Sequence, residues 1–472
     1  MTPRTILACR VAFVGLVVYV TLPALVIAPI ENDELRIALG ALRHLSSGVR
    51  DMDYRYDAQA GTYVLVEALA RWLAVSTHDA LAAVSAVSTI VFLFSGGLVV
   101  ARAGRVDWSL GGLSLLLLPE SYSIGYYGSS TAPSVAAAWV GLALLGSRFR
   151  GRAGALGLTL ALAAWLRLDA VLLLPSAVWL ARRDGIRGLG AFGTAWVLTF
   201  AALSARTGGS PFVAIGEYGR HAATSIAPRT IALQLAASVS LAGGLLILAG
   251  LAGLVKNAKV ERDALGLALT ALPTLFAYGP ALTSPKYLVG ALPLLAILIV
   301  RGGWGCVGNR LLRAVFVGLF VLQYFAPIPF GGSGASTKVR TGDGPRPVTR
   351  LAFAPVEWVS EKRRIRAEDL ITLEKLLRGA RSSGGRVVVA GLRSVELVPY
   401  LYLASGFLLT SSASLADHQE LRFKPDSSAI RGRAERSSAV TVLVFADEAA
   451  GLREYERGGA GMFIADGFRG EY

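Results

Sequence analysis

The residues of this chain best suited to chemistry are carboxylates and cations set beside or inside apolar sequence. Asp33 and Glu34 follow the apolar segment 11–30 at once, in the cluster ENDE. A carboxylate where a helix leaves a bilayer is costly to hold there. Such a group could take a proton from a hydroxyl as a general base, or hold a divalent cation such as Mg²⁺ or Mn²⁺. The same letters also fit a helix start, with Asn32 as N-cap and acids in the first turn. Asp57 stands in YRYDAQAGTY with Tyr54, Tyr56 and Tyr63, and Glu120 in PESYSIGYYGSS with Tyr122, Tyr126 and Tyr127. These tyrosines could stack on a sugar ring or sit in a headgroup layer. Asp57 reads more readily as a solvated loop carboxylate, and Glu120 equally as one acid in an aromatic belt.

The cations are fewer. Arg167 and Asp169 interrupt the run ALAAWLRLDAVLLLP, where charges usually face protein or water and often pair. The two readings are a mutual ion pair at a helix turn and a phosphate-binding role for Arg167. Lys286 and Tyr287 open the apolar segment KYLVGALPLLAIL. That lysine could snorkel to the interface, or be the point charge that meets a lipid phosphate.

The elements that must position these residues are membrane spans. Of 472 residues, 54% are hydrophobic and 17% charged, with mean hydropathy +0.54. A soluble chain would carry about 25% charged residues. Apolar runs near 11–30, 80–101, 109–118, 132–146, 153–166, 170–181, 188–205, 229–253, 264–279, 287–300 and 311–326 predict about 11 transmembrane helices. Pro29 directly after Ala28 argues against signal cleavage there, so the first run is expected to be a retained anchor.

The net charge of +15 invites a polyanionic partner, but sidedness accounts for it. With the amino terminus inside, the inner loops hold 16 basic and four acidic residues, and the outer loops up to residue 330 hold 10 and 11. This is the positive-inside asymmetry. The basic residues include only seven lysines, and Cys9 and Cys306 both lie near expected inner ends. We expect a bacterial inner membrane, a cytoplasmic amino terminus and an extracytoplasmic carboxy-terminal part built without disulfides.

Between the first two spans, Asp33–Ser46 and Thr62–Val75 carry helical apolar spacing, and Glu67 and Arg71 are set to pair at i,i+4. Fourteen residues rise only about 21 Å, too little to cross, so both helices are expected to lie on the outer surface, with Trp72 at the interface. Residues 331–350 are rich in Gly, Ser, Thr and Pro and read as a linker. Residues 351–472 alternate helices (366–378, 395–404, 447–457) with strands (386–390, 440–446, 462–465). The fold class is therefore an all-α polytopic membrane domain over 1–330 plus a small extracytoplasmic α/β domain with a partly parallel sheet.

Other chemistries lack their motifs. Four scattered His and two distant Cys give no zinc spacing, and no Walker loop, GxGxxG or GxSxG is present. The tail has no basic-aromatic pattern for nucleic acid.

Taken in order, these pieces resemble the C-type glycosyltransferase (GT-C) superfamily, polytopic enzymes that use sugars on polyprenyl phosphate, including bacterial mannosyl- and arabinosyltransferases. The resemblance covers roughly residues 1–330. It rests on Asp33 and Glu34 after the first span, the two surface helices, LRLDAVLLLP at 166–175, and Pro285, Lys286, Tyr287 and Leu288 with Leu292–Pro293. The stretch 57–63 (DAQAGTY) stands where many bacterial members carry prolines. The resemblance implies sugar transfer from a polyprenyl-phosphate donor to an acceptor at the outer face, with inversion. Asp33 would be the base with Glu34 second, and Arg167, Lys286 and Tyr287 would hold the donor phosphate. Asp57, Tyr63, Glu120 and Tyr126 would contact substrate. A divalent cation bridging Asp33 and Glu120 is implied for some members only. The alternatives are a transporter or flippase of a lipid-linked glycan, and a non-catalytic envelope scaffold. The first would need related halves with broken helices, and no half-to-half correspondence is found.

Overall fold

A computed structural model describes residues 2–25, 60–75, 77–125, 131–145, 152–207, 235, 238–277, 285–306 and 318, with strand segments at 338–341, 344–347, 386–389, 440–443 and 462–464. Up to residue 306 every described element is helical. They are α1 (Pro3–Thr21), α2 (Ala60–Leu73), α3 (Thr77–Gly104), α4 (Trp108–Leu116), α5 (Ala132–Leu145), α6 (Ala153–Leu166), α7 (Leu174–Ala181), α8 (Gly185–Thr207), α9 (Leu241–Lys256), α10 (Ala258–Leu269), α11 (Leu272–Ala277) and α12 (Leu292–Cys306). Short 3₁₀ turns fall at Leu22–Leu25, Pro119–Gly125, Leu168–Leu173, Arg182–Asp184 and Pro285–Ala291.

Among the described residues three stretches could cross a membrane by length and composition: Pro3–Thr21, Asp79–Gly104 and Leu168–Ala205. The last reverses at Gly185, whose φ of +68° suits glycine. Beyond the reversal, α8 runs back along α6, with Phe192 and Ala195 against Gly157, and Phe200 against Leu168.

Several boundaries differ from the sequence expectation. The first helix spans 3–21 and not 11–30, because Thr2 caps it, accepting from the Thr5 amide at 3.3 Å, and Pro3 fits its first turn. A 3₁₀ turn, Leu22–Leu25, follows it directly. The span placed at 264–279 is two helices, α10 and α11, broken at Thr270–Ala271. Helix α10 starts inside what the charges Lys259, Glu261, Arg262 and Asp263 mark as a loop. Of the expected span 311–326 only residue 318 is described, and the surface helix 33–46 and the three helices expected after residue 351 lie outside the described residues.

The core gathers Phe13, Phe92, Leu93, Leu115, Trp139, Val289 and Leu292 from five helices and a 3₁₀ turn, all nearly inaccessible. Small residues let backbones meet. A Cβ on Gly111 would lie 2.3 Å from the Gly97 carbonyl oxygen, and one on Gly302 the same distance from the Gly250 nitrogen. Such small-residue seams are how helices associate in lipid, where apolar surface gains little from burial against apolar surface. The opposite faces carry exposed Leu7, Val11, Val18, Leu158, Val197, Leu198 and Leu248.

In the tail, β1 (Lys338–Thr341) pairs antiparallel with β2 (Gly344–Pro347), inside the segment read as a linker. β3 (Arg386–Val389), β4 (Val440–Leu443) and β5 (Met462–Ile464) form a three-stranded parallel sheet in that order. All three fall within the segments expected as strands, 386–390, 440–446 and 462–465.

Candidate functional site

The site builds outward from Arg167. Helix α6 ends at Leu166, and Arg167, with φ −157° and ψ 127°, leaves it in extended conformation after one last bond from its amide to the Ala163 carbonyl. The chain re-enters 3₁₀ geometry at Leu168, so Asp169 lies only two residues on, beside the arginine. Nε of Arg167 donates to both carboxylate oxygens of Asp169, at 2.9 Å each. Arg167 is 2% exposed. Its guanidinium carbon also lies 5.4 Å from the centre of the Tyr287 ring. A desolvated guanidinium over an aromatic face is stabilised by the ring quadrupole.

That ring contact joins two segments that the sequence separates widely, LRLD and PKYL. Tyr287 sits in the 3₁₀ turn Pro285–Ala291. Trp139 of α5 anchors this turn by donating its indole N–H to the Gly290 carbonyl at 3.2 Å. Beside it, a cleft of about 10 Å³, measured to the centre of a water-sized sphere, is lined by Thr131, Asp169, Thr274, Tyr287 and Gly290. That is room for about one water. The Thr274 hydroxyl is buried and has no hydrogen-bond partner among the described residues.

Glu120 lies in the 3₁₀ turn Pro119–Gly125, which packs on the turn that carries Tyr287. It is buried, and Ser238 Oγ donates to its Oε2 at 3.3 Å. Helix α2 closes the group from the side. Thr62 Oγ1 donates to the Leu166 carbonyl at 2.8 Å, one residue before Arg167. Gly61 lets the helix approach: a Cβ there would lie 2.6 Å from the Trp165 carbonyl oxygen.

Helix α2 is the second expected surface helix, two residues earlier than placed. Its Glu67–Arg71 pair forms at 2.8 Å. Val66, Ala70 and Thr62 face the protein, while Leu65, Leu73 and Trp72 turn outward, Trp72 being 80% exposed. Leu65 and Leu73 therefore mark the outer face, and the smaller residues Thr62, Val66 and Ala70 make the protein contact.

The sequence candidates thus divide. Arg167, Asp169 and Tyr287 come together, with Glu120 on the neighbouring turn. Lys286 belongs to the same turn as Tyr287, and Tyr63 lies in α2. Asp33, Glu34, Asp57 and Tyr126 lie outside the described residues. Ser238, Thr62, Thr131 and Thr274 were not singled out from sequence, where short hydroxyl residues in apolar runs carry no distinguishing signal. Among the described residues no three His, Cys, Asp or Glu side chains come together. Asp33, the partner expected to share a divalent cation with Glu120, is not among those residues.

At the opposite end of the helices the basic residues collect. Arg10 Nη2 donates to Asp107 Oδ2 at 2.8 Å, and Arg301 Nη2 to the Ala103 carbonyl at 3.0 Å. Arg182 and Arg183 both reach Asp263, at 3.1 and 3.0 Å. All but Ala103 are residues that the charge count puts on the inner side.

No family model matches this chain, and no curated protein matches it. Among solved structures, it is similar to ArnT from Cupriavidus metallidurans bound to undecaprenyl phosphate, at 16% identity and a TM-score of 0.48 over 96% of this chain and 89% of that one.

Proposed function

We propose that this chain is an integral-membrane glycosyltransferase of C type, moving a sugar from a polyprenyl-phosphate donor to an acceptor hydroxyl at the outer face of a bacterial inner membrane. The observation that carries this reading is the junction of Arg167, Asp169 and Tyr287. It is a buried cation, oriented by a carboxylate and an aromatic ring, where two motif segments meet. A charge this deep in apolar sequence is expensive and marks a functional group by default.

In the proposed reaction the anomeric carbon is attacked by the acceptor oxygen while its bond to the phosphate oxygen breaks. The leaving polyprenyl phosphate takes the bonding pair as added negative charge. Cations fixed before the event stabilise that charge without reorganising. Arg167 supplies a planar guanidinium suited to phosphate oxygens, and Lys286 a point charge from the turn that carries Tyr287. Asp169 sets the guanidinium plane. Asp33 accepts the acceptor hydroxyl proton, with Glu34 as the second candidate. One displacement inverts the anomeric centre. Asp57, Tyr63, Glu120 and Tyr126 are proposed to contact sugar or acceptor. The carboxy-terminal residues 351–472 form an extracytoplasmic α/β domain in this reading.

The test is a membrane assay with a panel of radiolabelled polyprenyl-phosphate sugars. Wild type is expected to transfer label from one of them, and Asp33→Asn to insert normally and transfer none. Full activity in Asp33→Asn would remove the base. Absence of transfer from every donor, with wild-type membranes moving a lipid-linked glycan across the bilayer instead, would replace the enzyme by a flippase.

A further inference from the structure

The described residues contain a second hollow, far larger than the cleft at Tyr287, at the other end of the helices. It measures about 490 Å³, and Arg102, Arg105, Arg183 and Arg301 line it with Glu261 and Asp263. Five helices converge there: the C-terminal ends of α3, α5, α7 and α12, and one side of α10. The lining carries four cations against two anions, a net of +2. Both carboxylates are already shared. Glu261 stands 2.9 Å from Arg301 and 4.0 Å from Arg105, and Asp263 bridges Arg182 and Arg183. Helix α10 kinks at Glu261 (φ −104°, ψ 17°), which turns that side chain into the group.

Arg105 holds a φ of +55°. It occupies the left-handed position after α3, where the Val106 amide bonds the Ala101 carbonyl and the Arg105 amide bonds the Arg102 carbonyl. Glycine is the ordinary residue there. A bulky cation kept in a conformation that disfavours it points from an observed strain to a role. The walls are not all polar: Leu142, Leu180 and Val260 line the hollow, and Val260 is largely exposed.

We propose that this hollow binds a phosphate-bearing anion on the inner side of the membrane, opposite the sugar-transfer site. The excess guanidinium charge recognises phosphate oxygens, and the apolar wall receives the carbon skeleton behind them. Basic pockets between membrane helices on the cytoplasmic side hold anionic lipid headgroups in this way. The size favours a headgroup over a bare phosphate, and both present the same chemistry.

The test uses full-length protein in detergent. Native mass spectrometry with added phosphatidylglycerol, phosphatidylethanolamine or inorganic phosphate reads retention, and a thermal melt reads stability. Wild type is expected to retain phosphatidylglycerol about tenfold more than phosphatidylethanolamine. Arg105→Gly, which suits the backbone, should keep or raise the melting temperature and lower that retention several-fold. Arg105→Gly with Arg183→Gln should abolish the preference. Protection of wild type, but not the double variant, by inorganic phosphate alone would keep the anion site and assign it a free phosphate. Equal retention of the two lipids by wild type with no effect of phosphate, or undiminished preference in the double variant, would overturn it. A lower melting temperature in Arg105→Gly with unchanged retention would make the arginines structural ties and overturn it equally.

Discussion

Arg167 and Asp169 are two residues apart, and their pairing is a local matter that the letters LRLD announce. What the pair faces is not local. Tyr287 reaches Arg167 from a distant segment, and no periodicity in either stretch points to the other. Arg167→Ala should cost about 3 kcal/mol by leaving a partly buried carboxylate without its partner. Arg167→Lys keeps the charge but loses the planar fork. It should therefore fold while sugar transfer falls roughly 100-fold, the scale of one lost charge-stabilising donor. Comparing melting temperature with transfer rate for the two variants separates anchoring from phosphate recognition. A second residue-scale prediction concerns Asp107, whose carboxyl is lowered from 3.8 to about 2, first by its bond from Arg10 and then by Ser109. A depressed carboxyl contributes stability that is whole above its unfolded value and fades as pH falls toward the folded one. Melting temperature in detergent should thus drop between about pH 4 and pH 2, and Asp107→Asn should lack that component of the drop.

Among the elements, α2 is the one whose placement matters most to the site. Its amphipathic spacing and its Glu67–Arg71 pair are legible in the sequence. Which face meets the protein is not, because Thr62, Val66 and Ala70 are modest in hydrophobicity beside the leucines. Contact was decided by size, through Gly61 against Trp165. Gly61→Ala should force a methyl into backbone 2.6 Å away and cost about 1–3 kcal/mol, lowering the thermal midpoint of purified protein. Because Thr62 holds the Leu166 carbonyl, that variant should also weaken donor use more than an equally destabilising change in α9. The 3₁₀ turn at 119–125 falls in an expected loop, whereas those at 168–173 and 285–291 escaped the sequence reading for a related reason: their apolar residues continue the run of the adjoining helix. Pro119, Pro175 and Pro285 were the available signal.

For the molecule as a whole, charge sidedness was the most legible property. Arginines spread along the chain from residue 10 to residue 301 are drawn to one end, while Arg167, Glu120 and Tyr287 share the other. On the proposed orientation, Cys9 and Cys306 face the cytoplasm. A membrane-impermeant maleimide should leave them unlabelled in intact cells and react after permeabilisation, with Cys306→Ser reporting Cys9 alone. Labelling in intact cells would invert the topology and put the arginines outside. The Gly250–Gly302 seam has a consequence for this basic end. Arg301 directly precedes Gly302, so the register of α12 against α9 dictates where its guanidinium falls. Sliding α12 by one helical pitch, about 5.4 Å, would carry Arg301 beyond both the Ala103 carbonyl and Glu261. Two hydrogen atoms standing where methyl groups would not fit therefore act as a ratchet stop for a cation on the preceding residue.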